Sequence, residues 1–456
     1  MKVFFIGLFW VLFSAAPVVA ETLPVTLNKI IKDINGVYIS VVDLDNAKSV
    51  YALNETTPAK PASVMKLLTA HSALKVLGSE YRFQTRLSLQ GEVGGVADSL
   101  YIIGSGDPTL TTEQLWILAR AVKRRGIKQI KHLILDSSVY KTVNKRSGER
   151  AYEAGGSGLP FNFNSLTFEV CPAALGQPAF VRQDPWEYRT DIVGEIQTTT
   201  NRGNGFKITD RGTGQCGVAG RYHISGQIVR GTTCQNVYRS LACPEDYLAA
   251  VFKAFLNDLG IQVQSVSRSG VVSAKAQQFF VLYSKPLSQI VEDMNRFSNN
   301  FTAEQLVVAL DTVHIKAKER EVGLNRLRGL AASLGKRSEY NIVDASGLSH
   351  NNRLSARIIT RLLQEAWSDI YISTEFEKSL AVGGESGTLK LRKLKFPHAV
   401  IKAKTGSIDG VSALAGYIKG INKKYAFAIL QNNGLSHSKK WEVEEKIIKV
   451  ILDQVK

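Results

Sequence analysis

Ser63 and Lys66 stand one helical turn apart, so the lysine amine can reach the serine hydroxyl. That pairing activates a serine as a nucleophile without a histidine, the amine taking the proton as the oxygen attacks. Pro61 and Ser63 are helix-start residues, Val64, Leu67, Leu68, Leu74 and Leu77 recur at helical spacing, and Gly78 follows as a stop. Ser63 would then sit at the positive end of a helix dipole, which favours a developing oxyanion. The same Ser-x-x-Lys pattern recurs at Ser72 with Lys75, Ser138 with Lys141, Ser333 with Lys336 and Ser436 with Lys439. What separates Ser63 is its apolar helix, its proline-bearing entry and two motifs further along the chain.

The second motif is Phe297-Ser298-Asn299-Asn300-Phe301-Thr302-Ala303-Glu304, a polar triplet ahead of a helix through Leu306 to Ala309. Ser298 supplies a hydroxyl able to relay a proton, and Asn300 offers both an acceptor and a donor. The third is Ala403-Lys404-Thr405-Gly406-Ser407, at a predicted strand followed by two more over Val411 to Ile418 and Tyr425 to Leu430. Lys404 offers a charge and Thr405 a hydroxyl, while Gly406 would let a ligand lie close against the backbone. A bound carboxylate would suit this edge.

The elements that must position these groups follow from pattern. Val37 to Leu44 and Ser49 to Leu53 read as a hairpin leading into Pro61, so the nucleophile helix leaves a sheet. From Tyr81 the texture becomes mixed. Arg86 to Leu89, Ser99 to Ile103 and His132 to Leu135 read as strands, and Thr112 to Arg125 as a helix. From Phe161 to about Ala242 short alternating runs rich in Gly, Thr, Asn and Arg read as a small β unit, and helical periodicity returns at Tyr247 to Leu259.

Composition sets outer bounds. With 44% hydrophobic and 21% charged residues the chain is globular and not disordered. Met1 to Ala20 has a single charge at Lys2, an apolar run from Val3 to Phe13 and small residues before Glu21, the pattern of a cleavable export signal. The formal charge of +17 therefore points away from nucleic acid and toward anionic envelope polymers and lipid headgroups, with peripheral membrane association as a corollary. The remainder is longer than one core usually covers, so two or three domains are expected. All four cysteines, Cys171, Cys216, Cys234 and Cys243, fall within one stretch of the middle. In an exported chain they read as one or two disulfides, with three pairings open if all are bridged; their wide spacing argues against zinc.

The three motifs in this order resemble the penicillin-recognising serine acyltransferases, which include penicillin-binding proteins and serine β-lactamases. Gly106-Asp107-Pro108-Thr109-Leu110, Asp344-Ala345-Ser346-Gly347-Leu348-Ser349, Gly387-Thr388-Leu389 and Gly410 to Gly416 extend the resemblance over nearly the whole mature chain. Together they resemble the D-alanyl-D-alanine carboxypeptidase/endopeptidase branch of low-molecular-mass penicillin-binding proteins, peptidase family S13. That branch carries extra domains between its first two motifs, and the mixed and β segments occupy that interval.

The resemblance implies an α/β (α+β) multidomain fold. A penicillin-binding-protein/β-lactamase-like transpeptidase domain (21–81 and 281–456) would follow the signal (1–20), with two nested domains, one mixed α+β (82–160 and 243–280) and one mainly β (161–242). It implies an exported, periplasmic enzyme without metal or cofactor. The enzyme would act on peptidoglycan stem peptides as a D,D-carboxypeptidase and also as an endopeptidase, with β-lactams as covalent inhibitors. By this resemblance Ser63 is acylated, with Lys66 its base, and Ser298 and Asn300 relay and position. Lys404 and Thr405 bind the substrate carboxylate, and the backbone N–H groups of Ser63 and Ser407 form the oxyanion hole. Asp136 matches an aspartate that holds the amino group of a diaminopimelate side chain. His350 and Asp409 stand where relatives carry a cationic and an amide residue around that pocket, which leaves the stem-peptide specificity open. A β-lactamase-like hydrolase and a wall-binding scaffold without turnover remain the alternatives.

Overall fold

The computed structural model describes residues 23–140, 147–201 and 203–453; the export signal expected over 1–20 lies outside the described residues. Both ends of the chain enter one six-stranded sheet. Its order is Ala381–Val382, Val400–Ile408, Val411–Lys419, Lys424–Asn432, Val37–Asp43 and Ser49–Leu53, antiparallel throughout. The early hairpin therefore pairs with the late strands, Val37 opposite Gln431.

The central strands are buried on both faces, and the two-residue period of a strand divides their side chains between two cores. Ala413, Ala415, Tyr417, Ala426, Ala428 and Leu430 join Leu67, Leu306, Leu327 and Ile359 of the helices on one face. Leu414, Ile418, Phe427 and Ile429 pack on the other face with Leu27 and Ile447, from the helices Leu23–Ile31 and His437–Leu452. The helix carrying Lys66 spans Lys66–Leu77, continues a 3-10 turn over Ala62–Met65, and ends at Gly78 with φ 86°. Glycine adopts that backbone without steric cost.

Between the first two motifs the chain builds a five-stranded mixed sheet, ordered Gln262–Ser267, Gln129–Asp136, Val96–Ile103, Gln84–Val93 and Gln277–Tyr283. Helices Thr112–Arg124 and Pro244–Asp258 contribute Leu115, Leu118, Phe252 and Leu256 to its core. Two three-stranded sheets follow, Asp191–Thr199 with Arg221–Val229 and Phe206–Asp210, and Gln235–Ser240 with Ser165–Cys171 and Phe180–Asp184. One apolar cluster runs from Leu87 and Leu133 into Phe168, Tyr222 and Ile224, so these sheets share a core. Disulfides Cys171–Cys234 and Cys216–Cys243 select one of the three pairings.

The inserted residues are stitched to the helical layer at a buried joint. Gln305 accepts a hydrogen bond from Ser157 N (3.1 Å) and donates to Ser157 O (2.8 Å) and Gly106 O (3.2 Å). Tyr140 packs into the core that holds Val64 and Leu67. That joint matters for the cleft, because helix Asn300–Ala309 carries Gln305 and a motif residue together.

Candidate active site

Ser63 opens a turn that the backbone does not favour. Ala62 sits at φ 46°, a left-handed conformation that costs a non-glycine residue about 1 kcal/mol. Two glycines grip this turn. A Cβ on Gly347 would lie 1.8 Å from the Ala62 carbonyl oxygen, and one on Gly406 would lie 2.7 Å from the Pro61 carbonyl oxygen. Gly406 therefore serves close approach of the nucleophile turn. The expectation that this glycine clears room for a ligand is corrected, since the space a Cβ would take is filled by Pro61 and Ala62.

Lys66 is completely buried. Its ammonium reaches Ser63 Oγ at 2.9 Å, Asn300 Oδ1 at 2.6 Å and Ser346 O at 2.7 Å. A lysine carries three N–H donors when charged and two with a lone pair when neutral. Asn300 and Ser346 can hold two donors of the neutral amine, which turns its lone pair toward the Ser63 hydroxyl. Burial lowers the Lys66 pKa to about 7, against an upward pull from the Asp344 and Glu304 carboxylates. A base with that value is part neutral at neutral pH.

Ser298 occupies the residue closing helix Leu287–Phe297, at φ 57° and ψ 39°. Glycine usually takes this left-handed cap; here a hydroxyl occupies it, 2.9 Å from Lys404 Nζ. Asn299 is the cap of the next helix, accepting from Thr302 N at 2.9 Å, which leaves Asn300 free for Lys66.

Lys404 is also fully buried, on the face of its strand that points to the helices. Burial, and then the neighbouring Lys66, push its pKa well below the ordinary lysine value. It donates to Thr405 O (2.7 Å) as well as Ser298, leaving one donor of the ammonium for a ligand. Thr405 Oγ1 lies 2.7 Å from Thr388 Oγ1, so two hydroxyls stand together. On its outer side strand Val400–Ile408 pairs only through Lys402 and Ala403 with Ala381–Val382. From Lys404 onward, among the described residues, that edge has no strand partner, which is where an extended peptide can add.

A cleft of about 890 Å³ joins Ser63, Ser298, Asn300, His350, Ser407 and Asp409. The structure thus brings Ser63, Ser298, Asn300 and Ser407 together with both specificity candidates, His350 and Asp409, while Lys66 and Lys404 stand behind the wall, bonded to Ser63, Asn300 and Ser298. Asp136 is different. It is buried, accepting from Ser138 N (3.0 Å), Ser138 Oγ (2.6 Å) and Val272 N (2.7 Å). The expectation that it holds a substrate amine is corrected to a strand-end turn, because its carboxylate is committed to the backbone and it does not line the cleft.

Glu304, which closes the second motif, and Arg320 carry roles that sequence alone does not reveal. Glu304 Oε1 accepts from Ala345 N and Ser346 N, both at 3.0 Å, while Oε2 is held by Arg320 at 2.7 Å. Asp344 ties the same loop through Gly347 N (2.6 Å) and Ser349 N (2.7 Å). The clamp fixes the Ser346 carbonyl that Lys66 donates to. The i,i+4 spacing of Asn300 and Glu304 on one helix was the available signal. The two groups with metal-like composition, Glu169 with Cys171 and Cys234 and Asp246 with Cys216 and Cys243, spend their sulfurs in disulfides, so neither offers thiolates to an ion.

The sequence profile of the D-Ala-D-Ala carboxypeptidase 3 (S13) family matches residues 24–454. A D-alanyl-D-alanine carboxypeptidase of Actinomadura sp. is 29% identical over 96% of this chain and 87% of its own length. Penicillin binding protein 4 of Haemophilus influenzae superposes with a TM-score of 0.79 at 21% identity, over 94% of this chain and 99% of that one. Its complex with a β-lactam superposes with a TM-score of 0.75 over the same shares.

Proposed function

The chain belongs to the D-Ala-D-Ala carboxypeptidase 3 (S13) family, and from that premise we propose how its own residues remove a terminal D-alanine from wall stem peptides. The observation that carries the reading is the Lys66 amine, desolvated and 2.9 Å from the Ser63 hydroxyl.

Neutral Lys66 takes the Ser63 proton as Oγ attacks the carbonyl of the penultimate D-alanine. The backbone N–H groups of Ser63 and Ser407 receive the oxyanion. Thr405, Thr388 and the spare donor of Lys404 hold the terminal carboxylate, which orients the scissile bond along the open strand edge. Collapse breaks the C–N bond. The departing amine takes a proton relayed from Lys66 through Ser298, leaving an ester on Ser63 that water hydrolyses with Lys66 again as base. A β-lactam enters the same path, but its leaving group stays tethered and the ester persists.

A second activity rests on the size of the cleft. Its volume of about 890 Å³ exceeds what one departing D-alanine needs, so a cross-linked D-alanyl bond fits the same chemistry as an endopeptidase substrate. On this reading the protein is exported and works in the periplasm; among the described residues no helix is long and apolar enough to cross a membrane. The catalytic domain is then 21–81 with 281–456, and the inserts are 82–160 with 243–280 and 161–242. D-alanine release from a pentapeptide, set against release of a cross-linked dimer's halves, tests both activities; a chain that frees neither overturns the proposal.

A further inference from the structure

Past Ser407 the cleft continues to a corner walled by Asp409, Gly410, Val411, Leu435, His437 and Lys440. The carboxylate-binding groups at Lys404 and Thr405 lie on the other side of Ser407, so this corner receives the acyl side of a bound peptide. The strand ends at Ile408, and Asp409 with Gly410 turns the chain back so that Ile408 faces Val411; the tip of this hairpin lies about two residues, roughly 7 Å, past Ser407 along the strand direction.

Lys440 is unusual there. The residue is 2% exposed, yet it lines the cleft. Its main chain is bonded, the carbonyl accepting from Gln431 Nε2 at 2.8 Å and the N–H donating to Ser436 O at 3.0 Å. Its ammonium has no hydrogen bond or ion pair among the described residues. The nearest acid is Glu444, whose Oε1 accepts from Ser412 Oγ (2.7 Å) and Gln431 Nε2 (3.2 Å) and whose Oε2 is held by Arg392 (2.8 Å). Burial lowers the Lys440 pKa, and Glu444 offsets this only in part. That ammonium faces the cleft with its donors free for a ligand's oxygens.

A second feature converges on the corner. Helix His437–Leu452 begins there, sixteen residues long, with Ser436 as its cap accepting from Lys439 N. Its positive end and the Lys440 charge, one turn into the helix, thus share the corner. Asp409 on the hairpin opposes an anion, so the acid must approach from the Lys440 side, away from that exposed carboxylate.

We propose that Lys440 and the start of helix His437–Leu452 form a carboxylate subsite for the acyl side of the peptide, selecting donors with a free acid about two residues before the acylating D-alanine. The inference deepens the carboxypeptidase reading and rests on it. An ammonium–carboxylate hydrogen bond in such a setting is worth roughly tenfold or more in kcat/KM.

The test uses two peptides ending in D-Ala-D-Ala that carry glutamate or glutamine two residues before the acylating D-alanine, with D-alanine release as the readout. The full-length protein should prefer the acid by about tenfold. Lys440→Gln should bring the ratio close to one, and Lys440→Arg should restore most of it. A purely structural role for Lys440 would lower both peptides alike and leave the ratio intact, which overturns the proposal. A ratio of one in the unaltered protein overturns it without any variant, so a poorly folding Lys440→Gln does not shelter it. Penicillin labelling of Ser63 separates the two readings. Labelling with no acid preference removes the subsite alone, whereas no labelling and no release remove the carboxypeptidase reading and the subsite with it.

Discussion

The catalytic cleft and the disulfide-bearing sheets solve opposite problems. In the cleft, two lysines are fully buried and their ammonium groups are held by named acceptors. The strands beneath them, Val411–Lys419 and Lys424–Asn432, are buried over almost their whole length. In the inserted β region, strand Phe180–Asp184 has no fully buried residue, and Phe180, Val193 and Tyr238 are exposed at 66%, 47% and 50%. A thin sheet buries too little to hold itself, and covalent links compensate. Geometry that must hold a proton between two atoms is obtained by burial. Geometry that only has to persist is obtained by crosslinks.

If that division is right, substitutions should separate by how directly they reach the lysine cage. The largest loss is expected for Lys66→Ala, which removes the base: penicillin acylation should slow by about a thousandfold or more in stopped-flow or quench-flow assays, with the circular dichroism spectrum retained. Next comes Gly347→Ala. The added methyl would meet the Ala62 carbonyl at 1.8 Å, and the displaced Ser63 turn should cost about a hundredfold in acylation.

Smaller again is Glu304→Gln, which loosens the loop holding the Ser346 carbonyl and should slow acylation about tenfold. It also has a sign. The unaltered enzyme should lose acylation as pH falls through about 7, because Lys66 becomes an ammonium. Glu304 pulls the Lys66 pKa up, so the acid limb of the variant should move to lower pH. An unchanged limb would remove Glu304 from the lysine cage.

The smallest effect on chemistry is expected from the double variant Cys171→Ser with Cys234→Ser. Losing that bridge should cost the inserted sheets ~2–4 kcal/mol of local stability, read as faster amide exchange over 165–240, with Ser63 acylation changed less than twofold. A large loss of acylation would join the two regions into one mechanical unit and break the comparison.

The parts of this site that read directly from sequence are those whose partners are near in sequence. Ser63 and Lys66 share one turn of helix, and Lys404 with Thr405 share one strand. The Cys clustering announced bridges without choosing among pairings, since pairing depends on how three-stranded sheets stack. The roles that did not read, although the residues stand in motifs, are tertiary. Gly347 is needed because a carbonyl from the nucleophile turn lies against it, Thr388 because it meets Thr405, and Glu304 because a loop some forty residues later folds onto it. Asp136 misled because a strand-end aspartate can cap its own turn or face a ligand, and only the positions of Ser138 and Val272 decide between them.

The claim on which the rest depends is that Ser63 attacks with Lys66 as its base. Intact-mass analysis after exposure to penicillin should show one equivalent bound, on the peptide containing Ser63, absent in Ser63→Ala and slowed steeply in Lys66→Ala. A label at Ser72, Ser138, Ser333 or Ser436 would contradict the site. A protein that carries no label and releases no D-alanine would be a scaffold, and one that returns hydrolysed penicillin rapidly without cutting peptide would be a β-lactamase.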